Sequence, residues 1–187
     1  MRNATRITLA SCLAATAIAF SGPAMAQTPT PPTTAAATKQ PIPRHMVAEH
    51  RNTMTRLDAL AKRKGAIGTA AQHVIAVMAP HDQREEAFVL PLLGLMDDLA
   101  DGKVTPDMAW AVPMADRLIA ERGKLNEEHS AIIATIIELT AAGRASHDAK
   151  VVAFAEEIAM DETNDSEFIY PAAVVIGRVV REKLAPK

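Results

Sequence analysis

Histidine and carboxylate side chains interrupt the apolar face of helical patterns at several places in this sequence. Between Pro80 and Pro91, His81 and Glu85 are four residues apart and follow the spacing of the apolar residues around them. This spacing places both side chains on the apolar face of one helix. A buried carboxylate is unfavourable unless it is hydrogen-bonded, paired or bound to a cation. The sequence therefore predicts a partner for Glu85 elsewhere in the fold.

Three further helical patterns carry similar interruptions. His50 lies on the apolar face of the first pattern, and His129 on that of the third. In the fourth, Asp161 and Asp165 share the apolar face. The apolar residues predicted on that face are Phe154, Ile158, Phe168, Ala172, Val175 and Val179. Imidazole and carboxylate groups that converge from facing helices of a bundle can hold two metal ions. The predicted metal ligands are His50, His81, Glu85, His129, Asp161 and Asp165.

Four amphipathic helices are predicted to position these side chains. Apolar residues recur every three or four positions through each pattern, and almost no stretch has the alternation typical of a strand. Long amphipathic helices joined by short turns indicate an all-α fold, an antiparallel up-and-down four-helix bundle. The first helix starts near residue 44, and the four helices end near residues 64, 102, 143 and 184.

Proline and glycine residues inside these patterns predict irregularities. Pro80 and Pro91 should kink or divide the second helix, and Pro171 should kink the fourth. Pro113 and Gly123 predict breaks in the third helix.

The second half of the chain repeats the polar pattern of the first half. Glu49-His50 precedes the motif of the second helix, as Glu128-His129 precedes that of the fourth. The repetition indicates two helical hairpins that each bring the same kind of polar group into one core. The matching positions are His81 and Asp161, Glu85 and Asp165, Phe88 and Phe168, Leu90 and Tyr170, and Pro91 and Pro171.

These motifs resemble those of the hemerythrin-like (HHE cation-binding) family over roughly residues 45–184. Members of that family are antiparallel four-helix bundles with a di-iron centre, used for oxygen carriage or for sensing and storage. The resemblance rests on Glu49-His50, residues 81–91, Glu128-His129 and residues 168–171. It implies that His50, His81, Glu85 and His129 are metal ligands.

Two departures from the family pattern affect the expected function. Asp161 stands where the family usually has a histidine, and the third helix has His129 alone where oxygen carriers have two histidines. An added carboxylate makes the site harder and more anionic, which favours ferric iron or manganese over a reversible oxygen adduct. We expect a non-haem di-iron site, with manganese as the alternative metal and a diatomic molecule or peroxide as ligand.

The expected role is oxygen, redox or nitric oxide sensing, or iron handling, and not reversible oxygen transport. Enzymatic activity is left open. The alternative is a degenerate, metal-free helical bundle that acts as an interaction or scaffold module. Four acids flank the predicted ligands. We expect Glu86 in solvent, and Glu162 and Glu167 at the surface or behind a ligand, while Asp82 could turn inward.

The first 26 residues have the features of a secretory signal peptide. Two arginines precede an apolar run of about 14 residues, too short to span a bilayer, and a small-residue site ends at Ala26. A lipid anchor at Cys12 is the less favoured alternative, because almost no apolar run precedes that residue. Residues 27–43 are rich in Pro, Thr and Ala and predict a disordered tether. The bundle domain would then occupy residues 44–187, in a periplasmic or secreted protein.

Composition excludes several classes of function. Cys12 is the only cysteine, so the protein has no disulfide framework. The formal net charge of −2 argues against nucleic-acid binding. We find no glycine-rich phosphate loop and no Gly-x-Ser-x-Gly nucleophile motif. No integral membrane span is expected after removal of the signal peptide.

Overall fold

The computed structural model describes residues 40–186, and every regular element in that range is helical. The all-α class is therefore confirmed for this part of the chain. The predicted signal peptide lies outside the described residues, as does most of the predicted tether. Both stay predictions.

Residues 40–186 form α-helices of very different lengths that pack together. A 3₁₀ helix, Pro106–Trp110, leads into the longest of them, and a π-helical segment, Asp165–Ile169, joins the last two. The α-helices are α1 (Arg44–Ala61), α2 (Ala66–Phe88), α3 (Leu90–Leu93), α4 (Met96–Ala100), α5 (Ala111–Ala145), α6 (Ala149–Asn164) and α7 (Tyr170–Leu184).

Pro91 divides the second predicted helix, as expected. α2 ends at Phe88, and Pro91 lies in the first turn of the short α3, where its missing N–H costs no hydrogen bond. Pro80 lies inside α2, which continues past it. The helix therefore keeps His81 and Glu85 on one continuous face.

The expected breaks at Pro113 and Gly123 are wrong, because α5 is continuous from Ala111 to Ala145. Pro113 lies in the first turn, where the backbone N–H groups have no helical partner. Gly123 is exposed between the buried Leu118 and Leu125, and packing of these two residues offsets its low helix propensity.

Two apolar clusters fill the interior, and each long helix passes from one to the other at its polar residues. In α5, Leu125 belongs to the first cluster and Ile132 to the second, with His129 between them. In α2 the order is reversed, since Met78 belongs to the second cluster and Phe88 to the first. The polar residues therefore lie at one level between two apolar layers.

In the fourth predicted helix, the residues expected to be buried are buried as far as Ile158. Beyond Ile158 the buried face consists of other residues than those predicted. Phe168 and Val175, expected inside, are 64% and 54% exposed, whereas Tyr170 is fully buried. The backbone N–H of Tyr170 bonds to the carbonyl of Asp165, a five-residue step that widens the turn. This π-helical turn shifts the buried face of α7 by about one residue relative to a continuous α-helix.

None of the helices in residues 40–186 combines the length and apolar character that a bilayer-spanning helix needs. Even α5, with 35 residues, carries charged side chains along its length, among them Arg117, Lys124 and Glu128.

Candidate metal centre

Four polar side chains from α2, α5 and α6 lie in the layer between the two apolar clusters. His81, Glu85, His129 and Glu162 are each at most 6% exposed. One possible ligand atom of His81, of His129 and of Glu162 lies within 4.8 Å of the other two. Nitrogen and oxygen donors at this spacing can hold a transition-metal ion. The structure therefore contains a buried group that could bind one.

Glu85 lies at the middle of this layer, and its two oxygen atoms face different histidines. Oε1 is 3.3 Å from Nε2 of His81 and 3.7 Å from Nε2 of His129. Oε2 is 3.6 Å from Nε2 of His50, which reaches the layer from α1. The structure thus brings together four of the six ligands predicted from sequence: His50, His81, Glu85 and His129.

Charge interactions keep Glu85 ionised although it is buried. Burial raises the pKa of this carboxyl, but hydrogen bonds with His129 and His81 outweigh burial and lower the pKa to about 2. For His81, burial lowers the pKa, but the hydrogen bond and charge of Glu85, together with the hydrogen bond to Glu128, raise it to about 9. At neutral pH the metal-free pair is therefore an imidazolium and a carboxylate.

Glu128 holds the ring of His81 from the side away from Glu85. Its Oε2 lies 3.1 Å from Nδ1 of His81. Arg84 in turn lies 3.4 Å from Oε1 of Glu128 and donates a hydrogen bond of 2.6 Å to Glu121. A carboxylate at Nδ1 orients a histidine so that Nε2 is directed to the centre, as is common behind metal ligands.

Tyr170 is a member of the buried layer that sequence reasoning missed. Its hydroxyl donates a hydrogen bond of 2.5 Å to Oε1 of Glu85 and lies 3.1 Å from Nε2 of His129. The pattern of the fourth helix offered no signal, because the π-helical turn that brings Tyr170 inside is not encoded in apolar spacing. The match between Tyr170 and the buried Leu90 in the internal repeat was the available signal.

Glu162 is the second missed member, since we expected it at the surface or behind a ligand. Its Oε2 lies 3.5 Å from Nε2 of His129 and has no hydrogen-bond partner. Burial raises its pKa to about 8, and the charges of Glu85 and Asp165 act in the same direction. Nδ1 of His129 also lacks a partner.

These orphaned buried atoms fit a bound cation. An unpaired polar atom inside a protein carries a desolvation cost that a ligand removes. The donor set of imidazoles and carboxylates, without sulfur, suits iron, manganese or a similar divalent ion. His81, His129, Glu162 and Glu85 are the residues that would hold it.

Asp161 and Asp165 lie beside this layer. Both line a cavity of about 310 Å³ together with His50, but Asp165 is half-buried whereas Asp161 is exposed. Burial raises the pKa of Asp165 to about 7, and the charge of Glu85 adds to the rise. In α6 the residue that is buried next to the layer is Glu162, which follows the exposed Asp161. The assignment of the two aspartates as ligands stays a prediction.

Two other acids lie next to the predicted ligands in the sequence. Asp82 is 8% exposed and lines the same cavity, which agrees with the expectation that it could turn inward. Glu86 is 39% exposed, with its Oε1 3.3 Å from Nδ1 of His50.

Comparison of the chain with protein-family models, with curated proteins and with solved structures finds no match. The geometry of the buried layer is therefore the basis for the function proposed below.

Proposed function

We propose that this chain is an exported, hemerythrin-like protein whose buried layer holds a non-haem di-iron centre. The observation that carries the proposal is the convergence of His81, His129 and Glu162, with ligand atoms within 4.8 Å of one another in an apolar interior. Groups of this kind are expensive to bury and are typical of metal sites. Export is proposed on the signal-like segment at residues 1–26.

The order of the apolar clusters supports an antiparallel four-helix bundle. α1 passes from the first cluster at Val47 to the second at Met54, and α2 passes back from Met78 to Phe88. α5 repeats the direction of α1, while α6 and α7 together return from the second cluster to the first. Alternating directions of this kind are expected of four rods connected up and down, with α6, the π-helical segment and α7 as the fourth rod.

The position of Glu85 supports a pair of ions. Because Oε1 faces His81 and His129 while Oε2 faces His50, one carboxylate could bridge two metals. We assign His81, His129 and Glu162 to the first ion. His50 and Asp165, which line the neighbouring cavity, are assigned to the second.

When bound, iron would supply one-electron redox chemistry and affinity for oxygen, peroxide or nitric oxide. The side chains of this chain hold the ions, exclude bulk water with two apolar layers, and supply the Tyr170 hydroxyl as a hydrogen-bond donor at Glu85. The carboxylate-rich set favours the ferric state. We therefore propose redox or small-ligand sensing, or iron handling, and not reversible oxygen transport.

Anaerobic reconstitution with ferrous iron, followed by an absorption spectrum in air, tests the proposal. A bridged diferric pair has charge-transfer bands that an empty protein lacks. We expect these bands in the wild type and their loss in His129→Ala, with helical circular dichroism retained because the apolar layers carry most of the stability. His73→Ala is the matched control, since His73 is exposed and pairs with Glu138 outside the layer. Absence of the bands in the wild type would contradict the di-iron proposal.

The second candidate function is a metal-free interaction or scaffold module. The hydrogen bond between Tyr170 and Glu85 and the contact between His81 and Glu128 favour it, because they satisfy part of the layer without a metal. A scaffold of this kind should show the same melting temperature with and without iron, whereas a metal-binding protein should melt at a higher temperature with iron.

A further inference from the structure

The cavity beside the buried layer has an unusual lining. It is formed by α1, α2, α6 and the π-helical segment, and its volume is about 310 Å³. One water molecule takes about 30 Å³ of liquid volume, so a hydrated metal ion fits. The lining contains two histidines, no lysine, no arginine and five carboxylates: Glu49, Asp82, Asp161, Glu162 and Asp165.

No lysine or arginine among residues 40–186 pairs with any of these five carboxylates. The ion pairs of lysine and arginine in this range all involve other acids. Acidic groups that crowd one space with no lysine or arginine among them attract cations.

Glu162 connects the cavity to the buried layer. It is 6% exposed, its Oε2 has no hydrogen-bond partner, and it both lines the cavity and lies 3.5 Å from His129. An ion in the cavity therefore lies beside a residue of the proposed centre, and one oxygen of that residue has no hydrogen-bond partner.

Glu49 is at the outer end of this arrangement. It is exposed on α1, immediately before His50, and lines the cavity together with Asp161 of α6. It lies outside the set of residues that we assign to the ions, so its charge can attract a cation without holding it.

We propose that the cavity is the uptake site of the protein, where a hydrated divalent cation is captured at Glu49 and passed through the carboxylate lining to Glu162. Carboxylate oxygens replace water molecules of the ion one at a time, and no electron is transferred. The inference rests on the proposed function, because uptake requires a centre that receives the ion.

The test measures the rate at which the protein takes up Fe²⁺. Protein and Fe²⁺ are mixed anaerobically, free ion is removed with a chelator at increasing times, and retained iron is counted. Removing one charge near a divalent ion should slow uptake in Glu49→Gln by roughly threefold to fivefold at low ionic strength. Reversing the charge in Glu49→Lys should slow it further, and added salt should reduce both differences.

Glu182→Gln is the matched control, because it removes the same charge from an exposed position of α7 that does not line the cavity. It should take up iron at the wild-type rate. If Glu49→Gln takes up iron at the wild-type rate, or if Glu182→Gln slows uptake equally, the cavity is not the uptake site. Iron retained at equilibrium would still support the proposed centre in that case. A wild type that retains no iron at equilibrium would overturn the proposed function and the uptake site together.

Discussion

At the scale of single residues, the contact between Glu128 and His81 leads to a prediction about the metal affinity of the proposed centre. Glu128 lies 3.1 Å from Nδ1 of His81 and leaves Nε2 directed to Glu85. We expect Glu128→Ala to weaken metal affinity by about 10- to 100-fold, as is typical when the partner behind a ligating histidine is lost. A competition titration against a chelator of known affinity measures the change.

Glu127→Ala provides the comparison for this prediction. Glu127 precedes Glu128 on α5 but is exposed, so its removal changes the charge equally without touching His81. Affinity should stay at the wild-type value. If Glu128→Ala and Glu127→Ala bind the metal equally well, Glu128 does not orient His81.

The buried ionisable groups predict how stability depends on pH. In the folded protein the pKa rises from 6.5 to about 9 for His81, from 4.5 to about 8 for Glu162 and from 3.8 to about 7 for Asp165. A group with a raised pKa stabilises the fold below its unfolded pKa, and this contribution is lost as pH rises through the folded pKa. We therefore expect the free energy of unfolding of the metal-free protein to fall between about pH 6 and pH 9.

Urea denaturation in the presence of a chelator at pH 6, 7.5 and 9 would measure this trend. The lowered pKa of Glu85 does not oppose it, because that contribution is lost only as pH falls through about 2. Glu162→Gln should make the decline shallower, since the amide does not ionise. A free energy that stays constant or increases towards pH 9 would contradict these assignments.

Sequence spacing predicted the part of the site that lies on regular α-helix. His81, Glu85 and His129 were placed correctly on inward faces because α2 and α5 are continuous around them. Glu162 was missed because the next inward residue after Ile158 is four positions along the helix and not three. Tyr170 was missed because the π-helical turn changes which residues of α7 face inward. Such choices depend on packing against neighbouring helices, which the local pattern does not contain.

At the scale of elements, the register of α7 can be tested with two identical substitutions. Val180 is fully buried and Val175 is 54% exposed on the same helix. We expect Val180→Ala to lower the free energy of unfolding by about 2 kcal/mol, and Val175→Ala to change it by less than about 0.5 kcal/mol. Chemical denaturation of both variants measures the difference.

The apolar spacing of the sequence placed Val175 inside, and so predicted a larger loss of stability for Val175→Ala than for Val180→Ala. A continuous α-helix through residues 165–170 would bury Val175 with Phe168, so a larger loss in Val175→Ala would show that the π-helical turn is absent. The boundaries of the other helices were easier to predict, because Gly65 and Pro91 act locally on the backbone.

At the scale of the whole molecule, we expect metal binding to add to the stability that the two apolar clusters already provide. The clusters stabilise the fold, while the acidic groups of the layer and of the cavity beside it would be neutralised by a cation. Iron at 100 times its dissociation constant should stabilise the fold by about 2.7 kcal/mol through mass action. Thermal denaturation with and without Fe²⁺ under anaerobic conditions checks this, and an unchanged melting temperature would favour the metal-free module.

The central claim is that the buried layer of His81, Glu85, His129 and Glu162 binds a transition metal. The most direct measurement is the iron content of the protein after anaerobic equilibrium dialysis against Fe²⁺ and removal of loosely bound ion. We predict between about one and two ions per chain, since the proposed centre holds two. A content below about half an ion per chain would contradict the claim, because a folded site with these donors should be filled at saturating iron.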